Sequence, residues 1–220
     1  DPLLRAIPII FVTAQDRPED ETRALDAGAA DFITKPFNPT VVRARVRTQL
    51  TLKAQADLLR ELAFIDGLTG VHNRRHFDER FIAETRRAQC TRSPLAVVLA
   101  DVDHFKRYND ALGHLAGDDC LRRVAAALRT CLRRPTDLLA RYGGEEFVSL
   151  LPDTDLAGAI GVAQLMEDTV RALALPHPGV QGCVTISLGV SAGTDPGGLV
   201  QAADRALYLA KAAGRDRVST

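Results

Sequence analysis

The sequence predicts a mixed α/β (α+β) protein, and the order of its segments carries that prediction. In the first fifty residues, apolar runs at 7–13 and 30–34 alternate with helical segments, and this strand–helix–strand–helix order is typical of α/β domains. From about 94 to 192 the order is strand, helix, strand, strand, helix, strand. The second series predicts a ferredoxin-like, split-βαβ domain.

Composition places the 220-residue chain among ordinary globular proteins, with 46% hydrophobic and 25% charged residues. The formal net charge is zero, so no global field favours nucleic acid or an anionic membrane. No apolar run approaches the roughly 20 residues of a membrane helix, and no secretory signal is visible. We therefore expect no nucleic-acid partner and no membrane segment. The abrupt start at Asp1 suggests a fragment of a longer protein.

The four cysteines predict no metal centre. They form no Cys-x-x-Cys pair, and no histidine stands beside them at the spacing of zinc ligands. We expect reduced, mostly buried thiols in a cytoplasmic protein. These residues are Cys90, Cys120, Cys131 and Cys183.

The N-terminal segment, residues 1–50, predicts two strands and two helices. The run at 7–13 is continuously apolar, as in a strand that is buried on both faces of a parallel sheet. Glu19 to Ala27 has helical character, and Gly28 suits the position just after a helix. A second helix begins at Pro39, with one side expected to pack on the strands. That side carries Val41, Val42, Val46 and Leu50.

A linker helix is predicted over 51–65, continuing the helix from Pro39. The stretch lacks Gly and Pro, and its apolar residues recur every three or four positions. One stripe would pack on the N-terminal segment, and a second line of apolar residues suggests a partner helix in a dimer. A helix that packs only within its own chain is an equal alternative. The first stripe is Val46, Leu50, Ala54, Leu58, Leu62 and Ile65, and the second is Leu52, Leu59 and Ala63.

Two patterns predict a site for a metal-bound phosphate. Gly143-Gly144 joins the apolar runs 138–140 and 147–151, which predicts a β-hairpin whose tip has room for a ligand. Glu145-Glu146 follow at once, and two adjacent carboxylates favour a divalent cation. Asp101 ends the apolar run 95–100, where a helical turn begins. A carboxylate and free helical N–H groups at one strand end suit a cation and a phosphate.

Several motifs in order resemble the GGDEF family, the diguanylate cyclases, in its GGEEF form. They are D-G-L-T-G-V-H-N-R-R at 66–75, D-V-D-H-F-K-R-Y-N-D at 101–110, G-H-L-A-G-D at 113–118, G-G-E-E-F at 143–147 and K-A-A-G-R at 211–215. The resemblance implies a nucleotidyl-cyclase, palm-like domain over 66–220. It also implies condensation of two GTP into cyclic di-GMP, with release of two pyrophosphates, by two half-sites facing each other in a homodimer.

The resemblance further implies the metal ligands. Asp101, Glu145 and the main-chain carbonyl of Val102 would hold Mg²⁺, with Mn²⁺ as an alternative. Glu146 is either a second metal contact or the acceptor of the 3′-hydroxyl proton, and the sequence does not choose between these roles. The implied catalytic residues are therefore Asp101, Glu145 and Glu146.

The substrate-binding residues implied by the resemblance divide by function. Asn109 and Asp118 would read the guanine edge, because their side chains accept and donate hydrogen bonds. The turn at His104–Lys106 would offer backbone N–H groups to phosphate. The remaining implied GTP-binding residues are Phe105, Lys106, Lys211 and Arg215, with Gly143 and Gly144 at the hairpin tip.

Arg134-Pro135-Thr136-Asp137 matches the family's R-x-x-D motif for inhibition by the product cyclic di-GMP. Pro135 lacks an N–H, so the motif predicts a turn. Family members often complete this site with a second arginine from another surface; Arg87 is assigned as that partner by its position, and Leu165 stands where another such arginine is expected. The alternative is an exposed Arg–Asp pair, which contributes little.

Residues 1–50 resemble the C-terminal part of a response-regulator receiver domain, which has a flavodoxin-like fold. Thr13-Ala14, Phe32 and Lys35-Pro36 match its switch threonine, switch aromatic and lysine–proline pair. The resemblance implies an upstream histidine kinase as partner of the full-length protein. The strands that would carry the phospho-acceptor are absent from this stretch, so no phosphorylation site is assigned in it. The alternative is an unrelated α/β fragment.

Two other functions compete with diguanylate cyclase activity. One is a GGDEF module that binds GTP or cyclic di-GMP as a sensor without turnover, and the other is a different nucleotidyl cyclase on a similar fold. Degenerate members of the family usually lose an acidic residue of the hairpin, whereas this chain keeps Glu145 and Glu146. Diguanylate cyclase activity is therefore the preferred prediction.

Overall fold

The computed structural model describes residues 7–14, 22–23, 25–62, 64–180 and 182–220, with the backbone alone for 59–62. The chain divides into two compact units, Asp1–Ala63 and Phe64–Thr220. The predicted helix from Glu19 lies partly outside the described residues. Its described residues 22–23 and 25–26 are helical, and Gly28 has a φ of +91°, as expected for a residue that ends a helix.

The first unit contains two parallel strands, β1 (Ile10–Thr13) and β2 (Asp31–Thr34), in which Phe11 pairs with Phe32. The prediction that the first strand is buried on both faces is wrong, since Phe11 is 45% and Val12 52% exposed. Within the described residues this sheet has only these two strands. The apolar side chains of β1 therefore lack the further strands that would cover them.

Helix α1 (Pro39–Leu62) runs through the predicted linker. The prediction that its first apolar stripe packs on the strands is wrong for Val46 and Leu50, which are exposed. Hydrogen bonds join α1 to the strand region, from Arg45 to Asp31 and from Gln49 to the carbonyl of Ala30. Val42 is half-buried. The other residues predicted on that side are exposed, namely Val41, Val46 and Leu50.

The second unit is an α/β domain built on one sheet. Its strands are β3 (His72–Asn73), β4 (Leu95–Val102), β5 (Leu138–Gly143), β6 (Glu146–Pro152), β7 (Ile186–Gly193) and β8 (Val218–Ser219). Its helices are α2 (Arg74–Thr91), α3 (Phe105–Leu112), α4 (His114–Cys131), α5 (Leu156–Ala172) and α6 (Leu199–Ala212).

The strand order in this sheet is β3-β5-β6-β4-β7-β8. The four central strands pair antiparallel with one another, while β3 and β8 pair parallel with β5 and β7. The connections of the central strands follow the β-α-β-β-α-β order of the ferredoxin-like fold. The prediction of a split-βαβ domain is thus confirmed, with β3 and β8 added at the edges.

Strand β4 lies at the centre of the domain, and all eight of its residues are buried. Successive side chains of a strand point to opposite faces. Val98 and Ala100 accordingly belong to one hydrophobic core, and Val97 and Leu99 to the other. Asp101 is the last residue but one of this strand, so the candidate metal ligand stands on an element that is buried on both faces.

The cysteines are free thiols. Cys120 and Cys131 are buried, Cys183 is half-buried and Cys90 is exposed, so the prediction of mostly buried thiols holds for two of the four. In the part of the chain that the structure describes, no helix is long and apolar enough to cross a bilayer.

Candidate active site

The hairpin carboxylates lie beside the end of β4. Asp101 pairs with Glu146 in the antiparallel register of β4 and β6, and the N–H of Val102 donates to the carbonyl of Glu145 over 3.3 Å. Gly144 adopts a φ of +54°, which lets the chain turn tightly between β5 and β6. Open space surrounds Gly143 and Gly144 where a Cβ would stand. The structure therefore brings three carboxylates together at one end of the neighbouring strands β4 and β6, next to the accessible hairpin tip.

Lys211 pairs with Asp101 at this edge. Its Nζ lies 2.8 Å from Asp101 Oδ2. Burial raises the pKa of Asp101 to about 6, Lys211 opposes the rise, and the negative charges of Glu145 and Glu146 add to it. One ammonium thus fails to compensate a buried carboxylate with two acidic neighbours, and a further cation would be favoured.

The donor chemistry of this edge fits a small hard cation. Over the described residues, no three side chains of His, Cys, Asp or Glu are grouped so that they could hold a metal ion on their own. Mg²⁺ needs only one or two carboxylates, because it keeps waters and binds substrate phosphates. Asp101, Glu145 and the carbonyl of Val102 supply hard oxygen donors of the required kind.

A phosphate-binding turn follows β4 directly. His104 has a φ of +55°, and α3 begins at the next residue, Phe105. The first N–H groups of a helix lack intrahelical acceptors, so those of Phe105 and Lys106 can receive phosphate oxygens. The Phe105 side chain is 8% exposed and belongs to the core, so only its backbone can reach a ligand. Lys106 is exposed.

A polar corner lies where α3 meets α4. Asn109 Oδ1 is buried and has no hydrogen-bond partner. A Cβ on Gly117 would stand 1.8 Å from that oxygen, so the absence of a side chain at Gly117 leaves room for the Asn109 amide. Asp118, the residue after Gly117 in α4, is half-buried. An unpaired acceptor beside a carboxylate is suited to the N–H edge of a guanine.

Arg141, which the sequence reasoning missed, supports the hairpin. Its Nε donates to the carbonyl of Gly144 over 2.8 Å, and its Nη1 lies 3.3 Å from both carboxylate oxygens of Asp66. Thr69 donates its N–H and hydroxyl to the same carboxylate. The D-x-L-T-G turn therefore holds the hairpin tip through one guanidinium. The arginine before Y-G-G-E-E-F was the available signal.

Asp103 is the second residue that the sequence reasoning left without a role. It is 2% exposed, and its carboxylate accepts hydrogen bonds from the hydroxyls of Thr185 and Ser187, each at 2.7 Å. It also accepts from the N–H of Asp216 at 3.1 Å. Arg215, a predicted phosphate ligand, is the residue before Asp216. A buried carboxylate thus joins the end of β4 to the segment after α6.

Arg134 and Asp137 form the predicted turn, in which the N–H of Asp137 donates to the carbonyl of Arg134 over 3.0 Å. Both line a cavity of about 310 Å³. Burial raises the pKa of Asp137, and the Arg134 backbone and charge oppose the rise. Asp137 Oδ1 has no hydrogen-bond partner. The cavity is further lined by Cys131, Arg133, Leu151, Thr154, Gly158, Gly161, Val162 and Leu165.

Arg87 lies on a different surface from the cavity of Arg134, and its role as a partner from another surface stays a prediction. Its guanidinium bonds to Glu84 and Asp153, each over 2.7 Å, and it does not line the cavity of Arg134. Leu165 and Arg133 do line it. The structure thus gathers Arg134 and Asp137 in one cavity with Arg133 as a further arginine, and it leaves Arg87 in surface ion pairs.

Comparison with known protein families and structures agrees with this architecture. Residues 63–217 match the model of "Diguanylate cyclase, GGDEF domain", and residues 3–47 match that of "Response regulator receiver domain". Response regulator PleD of Caulobacter vibrioides is 38% identical over 227 residues, covering 97% of this chain and 50% of PleD. Diguanylate cyclase DgcP of Pseudomonas aeruginosa is 42% identical over 162 residues, covering 72% of this chain and 24% of DgcP.

Two solved structures show the same fold. Diguanylate cyclase SiaD, in complex with its activator SiaC from Pseudomonas aeruginosa, superposes with a TM-score of 0.69 at 36% identity, covering 91% of this chain and 73% of SiaD. The coiled coil and GGDEF domain of DgcB from Caulobacter crescentus, in complex with c-di-GMP, gives 0.70 at 28% identity, covering 81% and 98%.

The chain therefore belongs to the family of diguanylate cyclase GGDEF domains, and part of a receiver domain precedes its GGDEF domain. The resemblance read from its motifs is confirmed. The chain spans about half the length of PleD, at 50%, and about a quarter of DgcP, at 24%.

Proposed function

We propose that this chain condenses two GTP molecules into cyclic di-GMP and releases two pyrophosphates. The observation that carries the proposal is the register of β4 with β6, which sets Asp101 opposite Glu146 and beside Glu145. The turn of His104 and the corner of Asn109 continue from the same strand end. One edge of the sheet thus offers sites for a cation, for phosphates and for a guanine.

The residues of the site divide the work. Asn109 and Asp118 orient the guanine, while Lys106, Arg215 and the first N–H groups of α3 hold the triphosphate. A bound Mg²⁺ or Mn²⁺, held by Asp101, Glu145 and the Val102 carbonyl, would neutralise charge that develops on the phosphoryl oxygens. Glu146 either joins these ligands or accepts the proton of the attacking 3′-hydroxyl.

Each bond-forming step links two substrates. The 3′-oxygen of one GTP attacks the α-phosphorus of the other, and the bond from that phosphorus to the pyrophosphate leaving group breaks. Each protein site holds one GTP, so two sites must face each other in a homodimer. The exposed stripe of Val46, Leu50, Ala54 and Leu58 on α1 supports such pairing, because apolar residues at this spacing suit a partner helix.

The test is to incubate the protein with GTP and MgCl₂, or MnCl₂, and to resolve the products by chromatography. We expect cyclic di-GMP, with a specific activity that rises with protein concentration until the dimer saturates. Asp101→Asn and Glu145→Gln should each remove most turnover. GTP binding without any product would favour the sensor module instead, and a flat specific activity for a demonstrated monomer would exclude the two half-sites.

The cavity of Arg134 and Asp137 is the proposed site of feedback inhibition by cyclic di-GMP. An arginine can grip a phosphate and stack on a base, and the unpaired Asp137 Oδ1 can accept from a guanine N–H. Arg133, which lines the same cavity, offers a further cation beside Arg134. Gly158 and Gly161 add no side chain to the wall that α5 gives this cavity, which also carries Val162 and Leu165.

A further inference from the structure

We propose that Asp103 is a positioning residue for the triphosphate, and this inference rests on the proposed function. Asp103 stands between the metal-binding end of β4 and the phosphate turn. All of the partners that the structure gives its carboxylate are protein donors: Thr185, Ser187 and the backbone of Asp216. Its side chain fixes the segment that carries Arg215 at a set distance from the cation site.

The geometry separates Asp103 from the metal ligands. The motif D-V-D places Asp101 and Asp103 two residues apart, which on sequence grounds makes either one a candidate ligand. Both oxygens of Asp103 are already engaged by donors at 2.7 Å, and the residue is 2% exposed. A cation bound there would compete with the hydroxyls of Thr185 and Ser187 for these two oxygens, and a buried hydroxyl that loses its acceptor is unfavourable.

The segment held by Asp103 is strained. Arg215 and Asp216 have φ values of +65° and +48°, in the left-handed region that residues other than glycine rarely adopt. Such conformations persist only when surrounding contacts hold them. The bond from the Asp216 N–H to Asp103 is one such contact, and the bond from the Arg215 N–H to the Ala210 carbonyl over 3.0 Å is another.

The backbone of Asp103 also contacts the other side of the phosphate site, where α3 begins. The N–H of Asp103 donates to the carbonyl of Thr185 over 2.9 Å, and the next residue, His104, takes the positive φ that turns the chain into α3. Asp103 thus sets both the N–H groups at the start of α3 and the position of Arg215. Without its carboxylate, the hydrogen bond that joins the Asp216 backbone to the end of β4 would be lost.

The test compares Asp103→Asn with wild type, using Asp195→Asn as the matched control. Asp195 is exposed, and among the described residues its carboxylate accepts a hydrogen bond only from the nearby N–H of Gly197. The dissociation constant of a non-hydrolysable GTP analogue is measured beside that of GMP, both with Mg²⁺. We expect Asp103→Asn to weaken binding of the analogue at least tenfold and binding of GMP less than threefold. We also expect Mn²⁺ affinity without nucleotide to stay unchanged and exchange of the Asp216 amide to accelerate.

Several results would overturn the inference. One is that a folded Asp103→Asn binds the GTP analogue as tightly as wild type does. Another is that its affinity for GMP falls as much as its affinity for the analogue. A third is that its affinity for Mn²⁺ falls, which would make Asp103 a metal ligand. If Asp103→Asn does not fold, the double variant Thr185→Val, Ser187→Ala removes the two hydroxyl donors and must show the same split. A wild type that binds no GTP analogue would instead overturn the proposed function, and the exchange measurement would still test the hydrogen bond from the Asp216 N–H to Asp103.

Discussion

The guanidinium of Arg141 joins Asp66 to the tip of the β5–β6 hairpin. It lies 3.3 Å from both oxygens of the Asp66 carboxylate and donates to the Gly144 carbonyl, while both side chains are only 19% exposed. Burial opposes ionisation of Asp66, but the bonds from Thr69 and the charge of Arg141 outweigh it and lower its pKa. The turn that begins the domain thus supports the strand end that carries Glu145 and Glu146.

Replacing Arg141 by lysine should loosen the hairpin. Lysine keeps the charge but lacks the planar fork that reaches two acceptors at once. We expect a loss of about 1–2 kcal/mol in the free energy of unfolding and a fall of about tenfold in GTP turnover. Denaturant unfolding and initial rates measure both effects. Arg122→Lys, at an exposed position of α4, is the control, and equal rates in the two variants would contradict a supporting role for Arg141.

Gly117→Ala should damage nucleotide binding more than folding. The new Cβ would stand 1.8 Å from Asn109 Oδ1, and the end of a side chain can move away from it. We expect the free energy of unfolding to change by less than about 1 kcal/mol and the affinity for a GTP analogue to fall at least about tenfold, or about 1.4 kcal/mol. Calorimetric titration with the analogue measures the second effect.

Gly189→Ala provides the contrasting case. Its Cβ would stand 2.1 Å from the carbonyl oxygen of Ala203 and 2.2 Å from the N of Leu207, which belong to the backbone of α6 and cannot move alone. We expect destabilisation of more than about 3 kcal/mol. If Gly117→Ala unfolds the protein as severely, or binds the analogue as wild type does, the proposed guanine corner is wrong.

Asp101 predicts an unusual pH dependence of stability. Its pKa rises to about 6 in the folded state, so between pH 4 and 6 the folded protein binds more protons than the unfolded one, and the stability contributed by this residue falls as the pH rises. In EDTA, the Asp101→Asn variant should lack this fall. The difference in free energy of unfolding between the variant and wild type should therefore shift by about 1–3 kcal/mol in favour of the variant from pH 4 to pH 7.5.

Mg²⁺ should reverse the difference. A cation that binds the ionised carboxylate stabilises the folded wild type and should have little effect on Asp101→Asn. Urea unfolding at the two pH values, with and without MgCl₂, measures the free energies, and Asp195→Asn controls for the loss of an exposed carboxylate. A wild-type stability that rises from pH 4 to 7.5 relative to Asp101→Asn would show that ionised Asp101 is well compensated.

The elements of the fold were predictable where the pattern is local. The run from 95 to 100 is apolar because β4 is buried on both faces, and Gly144 marks the hairpin turn because its φ is positive. The order of these elements then predicts the ferredoxin-like topology. The candidate metal ligands follow from it, since the strand that ends at Asp101 must lie beside the hairpin.

The supporting residues were not predictable, because their partners are far apart in the sequence. Asp66 and Arg141 are separated by 75 positions, and Asp103 and Thr185 by 82. No periodicity relates such pairs. The role of Arg87 stays a prediction: its place in the sequence suggests a partner for the inhibitory site from another surface, and within the chain its side chain is paired with Asp153 and Glu84.

We expect Leu165 to weaken inhibition by the product. It lines the same cavity as Arg134 and Asp137, where an apolar side chain offers no charge to a phosphate. Leu165→Arg should therefore strengthen inhibition by cyclic di-GMP, lowering the inhibitory concentration by about tenfold, the effect of one added charge-assisted hydrogen bond of about 1.4 kcal/mol. Arg134→Ala should relieve inhibition, and neither variant should alter GTP affinity, because the cavity is separate from the hairpin tip.

Gln164→Arg is the matched control for this prediction. It adds the same charge on the neighbouring residue of α5, which is exposed and does not line the cavity. Initial rates at fixed GTP, measured against added cyclic di-GMP, should give the order Leu165→Arg, then wild type and Gln164→Arg together, then Arg134→Ala. Equal inhibition of all four proteins would mean that the turn of Arg134 and Asp137 binds no product and is only a surface turn.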